Sequence, residues 1–420
     1  MRHTFIALLF LLIIPVTSLA WQSTADLTIG TTHSITSEIY GKERQLMIAL
    51  PEEAAETDKR YPVLYVLDGQ KWFLEALSQY KVLQSYDYIP SIIIVGINTE
   101  DSPRYGFFAQ ADKLQDHLEK EIIPYVESNL LASDERIILG WQFASAFLIQ
   151  TMAEKPQLFD AWLAASPYPI QGNRLNLLKQ SLNDQSLNTG TLVFATNLNE
   201  TSVEEDAEAL EKVLAMHAPQ DLHWKYVHLN QETITSAGHL MTPVGTLYAG
   251  LRTYYGNYPV LEFNNLNDYK AAGGFDYVKQ YYQTRSKAYG FSKDIPDEGM
   301  FFLVRMSMDA DAPAEFDFFM KQLKNTSFFA NKNQGWNMRY ADFYIEHKQY
   351  QNALDQYRII ADIFPESARP IHGMARAYAA MNNKKEAIKH FEKAIEMAEK
   401  ANDSRSDGYK SDLEKFKEGG

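Results

Sequence analysis

Six short, mostly apolar runs, separated by longer amphipathic segments, constrain the fold of this chain more than any other feature. Apolar runs of this length are typical of strands that are buried on both faces of a sheet. Two further β-rich segments, Leu27–Tyr40 and Arg44–Leu50, come before them, with a turn at Gly41-Lys42. Eight strands that alternate with helices over residues 27–256 predict a three-layer α/β domain. The six runs are Pro62–Leu67, Ser91–Ile97, Arg136–Trp141, Ala161–Ala165, Thr191–Thr196 and His223–Leu229.

The strand signal ends near residue 262, and helical patterns continue from there. Small and aromatic residues recur 34 residues apart, as in Ala353 and Ala387 or Tyr357 and Phe391. This period is typical of tetratricopeptide repeats, in which two helices of each unit pack closely. We therefore expect an all-α region behind the α/β domain. Its expected parts are a helical linker region over 262–333 with a candidate degenerate repeat at Met300–Leu323, two repeats over 334–401, and a polar, frayed tail over 402–420.

The first twenty residues have the pattern of a secretory signal peptide. Arg2 and His3 precede the apolar run Phe5–Val16, and the segment ends with the small residues Ser18 and Ala20. The run is shorter than the roughly 20 apolar residues that a membrane-spanning helix needs. We expect cleavage after residue 20 and a periplasmic or secreted protein without a membrane span.

Charge and composition exclude several classes of function. With 40 Lys and Arg against 54 Asp and Glu, the net charge is −14, which disfavours nucleic acid as a partner. The chain has no cysteine, so disulfides, thiolate metal sites and a Cys nucleophile are excluded. Neither metal-ligand spacing nor a Gly-rich phosphate loop after a strand is present, and we predict no metal and no cofactor.

Three motifs stand where an α/β sheet carries its chemistry, at the carboxyl ends of strands. The strand at Tyr61–Leu67 ends in Asp68-Gly69-Gln70. The strand at Arg136–Trp141 leads through a sharp turn into an apolar helix. Gly238-His239 comes shortly before a helical pattern that contains Tyr248 and Arg252.

With these motifs in this order, about 28–256 resembles the esterase branch of the α/β hydrolases, which includes the enterobactin and salmochelin esterases and S-formylglutathione hydrolase. The resemblance implies a nucleophile elbow of the form Gly-x-Ser-x-Gly, His239 as the catalytic base, and an oxyanion hole made by the backbone amides of Gln70 and Phe143. Ser166-Pro167 is similar to the Ser-Pro of the family after the next strand. Glu200 is the best placed acid of the triad. Bacterial relatives also carry a tetratricopeptide tail after such a domain.

The chain departs from the family at the centre of this site. The elbow reads Gly140-Trp141-Gln142-Phe143-Ala144, so a glutamine stands at the nucleophile position. The mechanism needs a hydroxyl that the histidine can deprotonate, and a carboxamide is a negligible nucleophile. Ser145 does not substitute, because three residues further along the helix it points away from position 142.

Each of the other candidates also has a purely structural interpretation. A histidine in such a loop as that of His239 is more often structural than catalytic, and a loop carboxylate like Glu200 is more often simply solvated. Trp141 either packs in the core or lines the pocket.

Three functions remain open. The first is a catalytically impaired member of the esterase family that binds a ligand through its pocket, or a protein or peptide through its helical repeats. The second is an active, siderophore-esterase-like carboxylic-ester hydrolase that uses His239 with a non-standard nucleophile or a water molecule. The third is a structural role, in which the α/β domain only supports the repeats. An active enzyme with a shifted nucleophile is expected to have a Ser or Thr hydroxyl within about 3 Å of His239.

Overall fold

The computed structural model describes residues 29–56, 58–99, 104–197, 200–229, 235–323 and 327–419, with the backbone alone at 235–237. The predicted signal peptide lies outside the described residues. The chain divides into two compact units. The α/β unit holds the described residues up to Val82 together with Ser91–Tyr254, and the helical unit holds Leu83–Pro90 and the residues from Tyr255 onward.

The α/β unit is built on an eight-stranded mixed sheet, which confirms the predicted number and places of the strands. The strand order is β1-β2-β4-β3-β5-β6-β7-β8. The pairs β1/β2 and β2/β4 are antiparallel, and all other neighbours are parallel. The strands are β1 (Thr31–Ser37), β2 (Lys42–Ala49), β3 (Tyr61–Leu67), β4 (Ile93–Ile97), β5 (Ala132–Trp141), β6 (Ala161–Ala165), β7 (Gly190–Asn197) and β8 (Leu222–Leu229).

Helices cover both faces of the sheet, as the uninterrupted apolar strands predict. In β6, Trp162 and Ala164 belong to the large core cluster that includes the buried residues of α2 to α7. Leu163, between them, points to the opposite face, where Gly250 of α8 lies so close that a Cβ atom would come within 2.4 Å of Leu163 Cδ2. The helices are α1 (Gly69–Ser85), α2 (Arg104–Ala109), α3 (Ala111–His117), α4 (Ile123–Asn129), α5 (Phe143–Glu154), α6 (Asn173–Asn183), α7 (Thr201–His217) and α8 (Thr235–Tyr254), with a π-helical turn at Leu118–Ile122 and 3₁₀ turns at Glu52–Ala55 and Pro156–Leu158.

All described elements from residue 266 onward are helices. Together with the sheet, they confirm the predicted fold class, an α/β domain followed by an all-α region. They are α9 (Leu266–Ala272), α10 (Gly274–Tyr289), α11 (Asp297–Asp309), α12 (Pro313–Gln322), α13 (Gln334–Glu346), α14 (Tyr350–Ile363), α15 (Ala368–Ala380), α16 (Lys384–Lys400) and α17 (Ser406–Gly419).

The helix pairs α13/α14 and α15/α16 repeat the same local geometry 34 residues apart. Lys348 and Asn382 end the first helix of each pair with a positive φ, 60° and 58°. Asp311, between α11 and α12, adopts a φ of 50°. Each turn closes with a hydrogen bond that spans five residues. These bonds run from Ala312 N to Ser307 O (2.9 Å), from Gln349 N to Tyr344 O (2.8 Å) and from Asn383 N to Tyr378 O (2.9 Å).

The expectation of a frayed end is wrong for Ser406–Gly419, which forms α17. Tyr409 and Leu413 are buried, and the Tyr409 ring stacks on His372 of α15 with centroids 4.1 Å apart. The segment is polar overall, but its few apolar side chains lie on one helical face. Their burial offsets the conformational entropy that is lost when the segment folds.

None of the described helices is long and apolar enough to cross a membrane.

Candidate functional site

The turn after β5 places Gln142 at the carboxyl end of the sheet. Gln142 has a φ of 55° and a ψ of −116°, and α5 begins at the next residue. Its backbone N–H donates to Ala165 O at 2.9 Å, which fixes the turn to β6. A Cβ atom at Gly140 would come within 2.8 Å of the Ala144 carbonyl carbon, so only glycine fits there. This strained strand–turn–helix has the form of a nucleophile elbow.

The carboxamide of Gln142 bridges two side chains from different elements. Arg104, the first residue of α2, donates from Nη1 to Gln142 Oε1 at 3.2 Å. On the other side, Gln142 Nε2 lies 2.6 Å from His239 Nε2. The arginine can only donate, so it fixes the oxygen of the amide toward itself and the NH₂ group toward the histidine.

His239 lies within α8 and not in a loop as the sequence suggested. Its Nδ1 forms a hydrogen bond with a carboxylate oxygen of Glu200. Because the carboxylate accepts at Nδ1 and the amide of Gln142 donates to Nε2, the contacts specify a neutral ring with its proton on Nδ1. The Trp141 ring packs against the imidazole with centroids 4.9 Å apart.

Glu200 is buried, with 8% of its surface exposed, and not a solvated loop carboxylate. It is the N-cap residue of α7. Ser166 Oγ donates to its two oxygens at 3.0 and 3.2 Å, and Asn197 N–H donates to Oε2 at 2.9 Å. These bonds hold the carboxylate in the orientation that receives His239 Nδ1–H, so the predicted acid and base positions do meet in the fold.

Sequence reasoning missed an ion pair on the other side of Gln142. Asp68, fully buried after β3, pairs with Arg104, whose Nε donates to Oδ2 at 2.8 Å. Thr99, after β4, donates to the other carboxylate oxygen, and Arg104 Nη2 also donates to Trp141 O. The available signal was that Asp68 and Thr99 directly follow buried strands, at the edge where this fold gathers its chemistry.

The remaining predicted residues surround this network. Gln70 lies in the first turn of α1, and its side chain exchanges hydrogen bonds with Thr99. Phe143 is the first residue of α5, so its amide lies at the open N-terminus of that helix. Trp141 is buried, and its ring packs edge-on against Trp72 and lies against the His239 imidazole.

Within the described part of the chain, no Ser or Thr hydroxyl is hydrogen-bonded to His239. The hydroxyl of Ser166 is directed to Glu200 instead. Ser145 is fully buried in α5, and its Oγ has no hydrogen-bond partner among the described residues. The arrangement therefore contains an oriented imidazole and carboxylate, and the side chain that faces the imidazole is an amide where a serine hydrolase has a hydroxyl.

Comparisons with known proteins agree with the fold. The family model described as "Putative esterase" matches residues 37–228, slightly less than half of the chain. An IroE-like serine hydrolase from Shewanella oneidensis superposes with a TM-score of 0.52 at 21% identity, covering 70% of this chain and 98% of that one. An uncharacterised protein from Capnocytophaga ochracea DSM 7271 gives a TM-score of 0.53 at 14% identity, covering 92% and 99%. No curated protein shows significant similarity to the sequence.

At these identities the solved structures establish the fold alone. Together with the family model over 37–228, they support an esterase-like fold for the α/β unit. The second structure covers most of this chain, so both parts have counterparts in it.

Proposed function

We propose that this protein is an exported, esterase-like α/β-hydrolase that lacks ester-hydrolase activity and acts by binding a ligand or a protein. One observation carries the proposal. The side chain that faces the imidazole of His239 is the carboxamide of Gln142, at 2.6 Å between the two nitrogens. In a serine hydrolase, this is the contact through which the histidine deprotonates the nucleophile.

The chemistry of the amide supports the loss of activity. The lone pair of the amide nitrogen is delocalised into the carbonyl group, so the nitrogen cannot attack an ester carbonyl at neutral pH. The side chain is also longer than that of serine. Held between Arg104 and His239, it fills the space in which the acyl group of a substrate would form its tetrahedral intermediate.

The preserved pair of His239 and Glu200 favours one alternative, an active carboxylic-ester hydrolase. Glu200 still orients the imidazole, and Ser166 still orients Glu200. A water molecule activated by His239, or a non-standard nucleophile, would complete such an enzyme, and the family resemblance implies siderophore-like esters as substrates. The imidazole nitrogen that this mechanism needs is already hydrogen-bonded to Gln142 Nε2, and we therefore place this function second.

The helical unit supplies the second part of the proposal. The turns after α11, α13 and α15 share one hydrogen-bond geometry, and the last two lie 34 residues apart. We take these as tetratricopeptide-type repeats, the first degenerate, which would bind a protein or peptide partner. Export rests on the signal-peptide pattern of residues 1–20.

The decisive experiment is intact-mass analysis after treatment with a fluorophosphonate probe, alongside turnover of short-chain nitrophenyl esters. We expect neither adduct nor turnover for the wild type. Gln142→Ser is expected to form the adduct, because the base, the acid and the elbow remain in place. Gln142→Asn, an amide of shorter reach, serves as the control and should stay unlabelled. A wild-type adduct, or turnover that His239→Ala abolishes, would establish the alternative function instead.

A further inference from the structure

The Gln142 amide lies between the guanidinium of Arg104 and the imidazole of His239, and we propose that this site binds the carboxylate of a small organic acid with an apolar tail. The inference rests on the proposed function, since it needs position 142 to be free of a nucleophilic role.

The geometry of the amide carries the first step. A carboxamide and a carboxylate are both planar, with two polar atoms at nearly the same separation. Arg104 Nη1 donates to the amide oxygen at 3.2 Å and would donate equally to a carboxylate oxygen. The second oxygen would then lie where Gln142 Nε2 now lies, within reach of His239 Nε2. A protonated imidazole donates at that atom, so the two side chains can hold both oxygens of a ligand that displaces the amide.

The charges around His239 link this binding to a proton. Glu200 faces the ring from the N-cap of α7, and Trp141 and Gln142 face it from the end of β5. Beyond the amide lies Arg104, whose charge is already matched by the buried Asp68. With the imidazole neutral, these groups carry one more negative than positive charge. A further carboxylate is therefore accommodated when His239 takes up one proton from solvent.

The surroundings of the polar groups define the rest of the ligand. Tyr105 is 61% exposed and packs edge-on against Phe143, with ring centroids 5.2 Å apart. The Phe143 ring also lies under the Arg104 guanidinium, whose carbon is 5.8 Å from the ring centroid. Exposed aromatic surface beside the polar groups suits a monocarboxylate with an alkyl or aryl tail better than a polycarboxylate. The N-terminus of α5, which begins at residue 143, adds a favourable partial charge.

Calorimetric titration of the full chain with sodium hexanoate tests the site, with hexanamide as the uncharged ligand of the same shape. We expect a Kd for hexanoate of about 1 mM or tighter, and binding of hexanamide at least about tenfold weaker. Titrations in two buffers of different ionisation enthalpy should show net proton uptake with hexanoate, because a carboxylate oxygen at His239 Nε2 needs a proton donor there. Equal affinity for the two ligands, or binding without proton uptake, would overturn the proposal.

Two variants of the bridging residue sharpen the test. Gln142→Glu has the same size and supplies an internal carboxylate, so hexanoate binding should disappear. Gln142→Ala removes the competing amide and should tighten hexanoate binding about tenfold, the factor expected for one displaced hydrogen bond. Circular dichroism spectra of both variants, compared with that of the wild type, serve as the control for folding. If hexanoate binds all three proteins alike, the site is not the one described. Fluorophosphonate labelling of the wild type would instead refute the proposed function, whatever hexanoate does.

Discussion

At the scale of single residues, the buried pair of Asp68 and Arg104 is expected to be sensitive to the loss of either partner. The Asp68 side chain is fully buried and that of Arg104 is 19% exposed. A buried carboxylate that loses its partner keeps its desolvation penalty without compensation. We therefore expect Arg104→Met to lower the free energy of unfolding by about 3 kcal/mol, measured by urea denaturation.

Lys81→Met provides the matched control. Lys81 pairs with Glu52 at 2.9 Å, but both side chains are largely exposed. Loss of such a pair changes the free energy of unfolding by about 1 kcal/mol or less, because water already screens both charges. Equal losses in the two variants would show that Asp68 is not held by Arg104 in solution.

This pair also shows where sequence-based prediction ends at the residue scale. Gln142 and His239 were identified because a known order of motifs connects them along the chain, and Glu200 because it follows the strand that ends at Thr196. No motif connects Arg104 to Asp68, and an arginine after a strand is an ordinary surface residue by composition. Only the parallel placement of β3, β4 and β5 brings the two together, and that arrangement is a property of the folded sheet.

At the scale of elements, the contact between α14 and α15 depends on Gly373 of α15. A Cβ atom there would lie 2.4 to 2.8 Å from three ring carbons of Tyr357. The ring cannot move away freely, since it is fully buried and its hydroxyl donates to Asp342 at 2.6 Å. We expect Gly373→Ala to destabilise the helical unit by about 1–3 kcal/mol in thermal or urea unfolding.

Gly408→Ala in α17 separates this clash from helix propensity. A Cβ atom at position 408 meets nothing within 4 Å. Alanine is the better helix former, so this variant should gain about 0.5–1 kcal/mol. A gain in both variants would mean that α14 and α15 pack less closely than described.

Elements were predictable where a residue pattern repeats over a whole segment. The eight strands follow from their apolar runs, and β6 was placed at its observed bounds, Ala161–Ala165. α17 was missed because its buried face consists of few residues, among them Tyr409 and Leu413, within a charged segment. The N-terminal part of α8 was missed because Gly238 and Pro243 disfavour a helix locally, and contacts with the sheet override that preference.

At the scale of the whole molecule, each unit contains a histidine, His117 fully buried and His372 partly buried, that makes stability depend on pH. Burial lowers the pKa of His117 in the α/β unit below its ordinary 6.5, although Glu121 opposes this. Burial also lowers the pKa of His372 in the helical unit, against the attraction of Asp412. Both folded units therefore favour the neutral ring, whereas the unfolded chain takes up protons as the pH falls below about 6.5.

The sign of the effect follows from this difference. The stabilisation by neutral histidine is complete above pH 6.5 and is lost as the pH falls from there toward the lower pKa of the folded state. The free energy of unfolding should fall by up to about 1.4 kcal/mol per pH unit for each histidine. His117→Gln and His372→Gln should each flatten this dependence, measured by urea denaturation at a series of pH values. His223→Gln, on the exposed side of β8, should leave it unchanged. If neither His117→Gln nor His372→Gln alters the slope of the free energy of unfolding against pH, other groups determine the acid sensitivity of the protein.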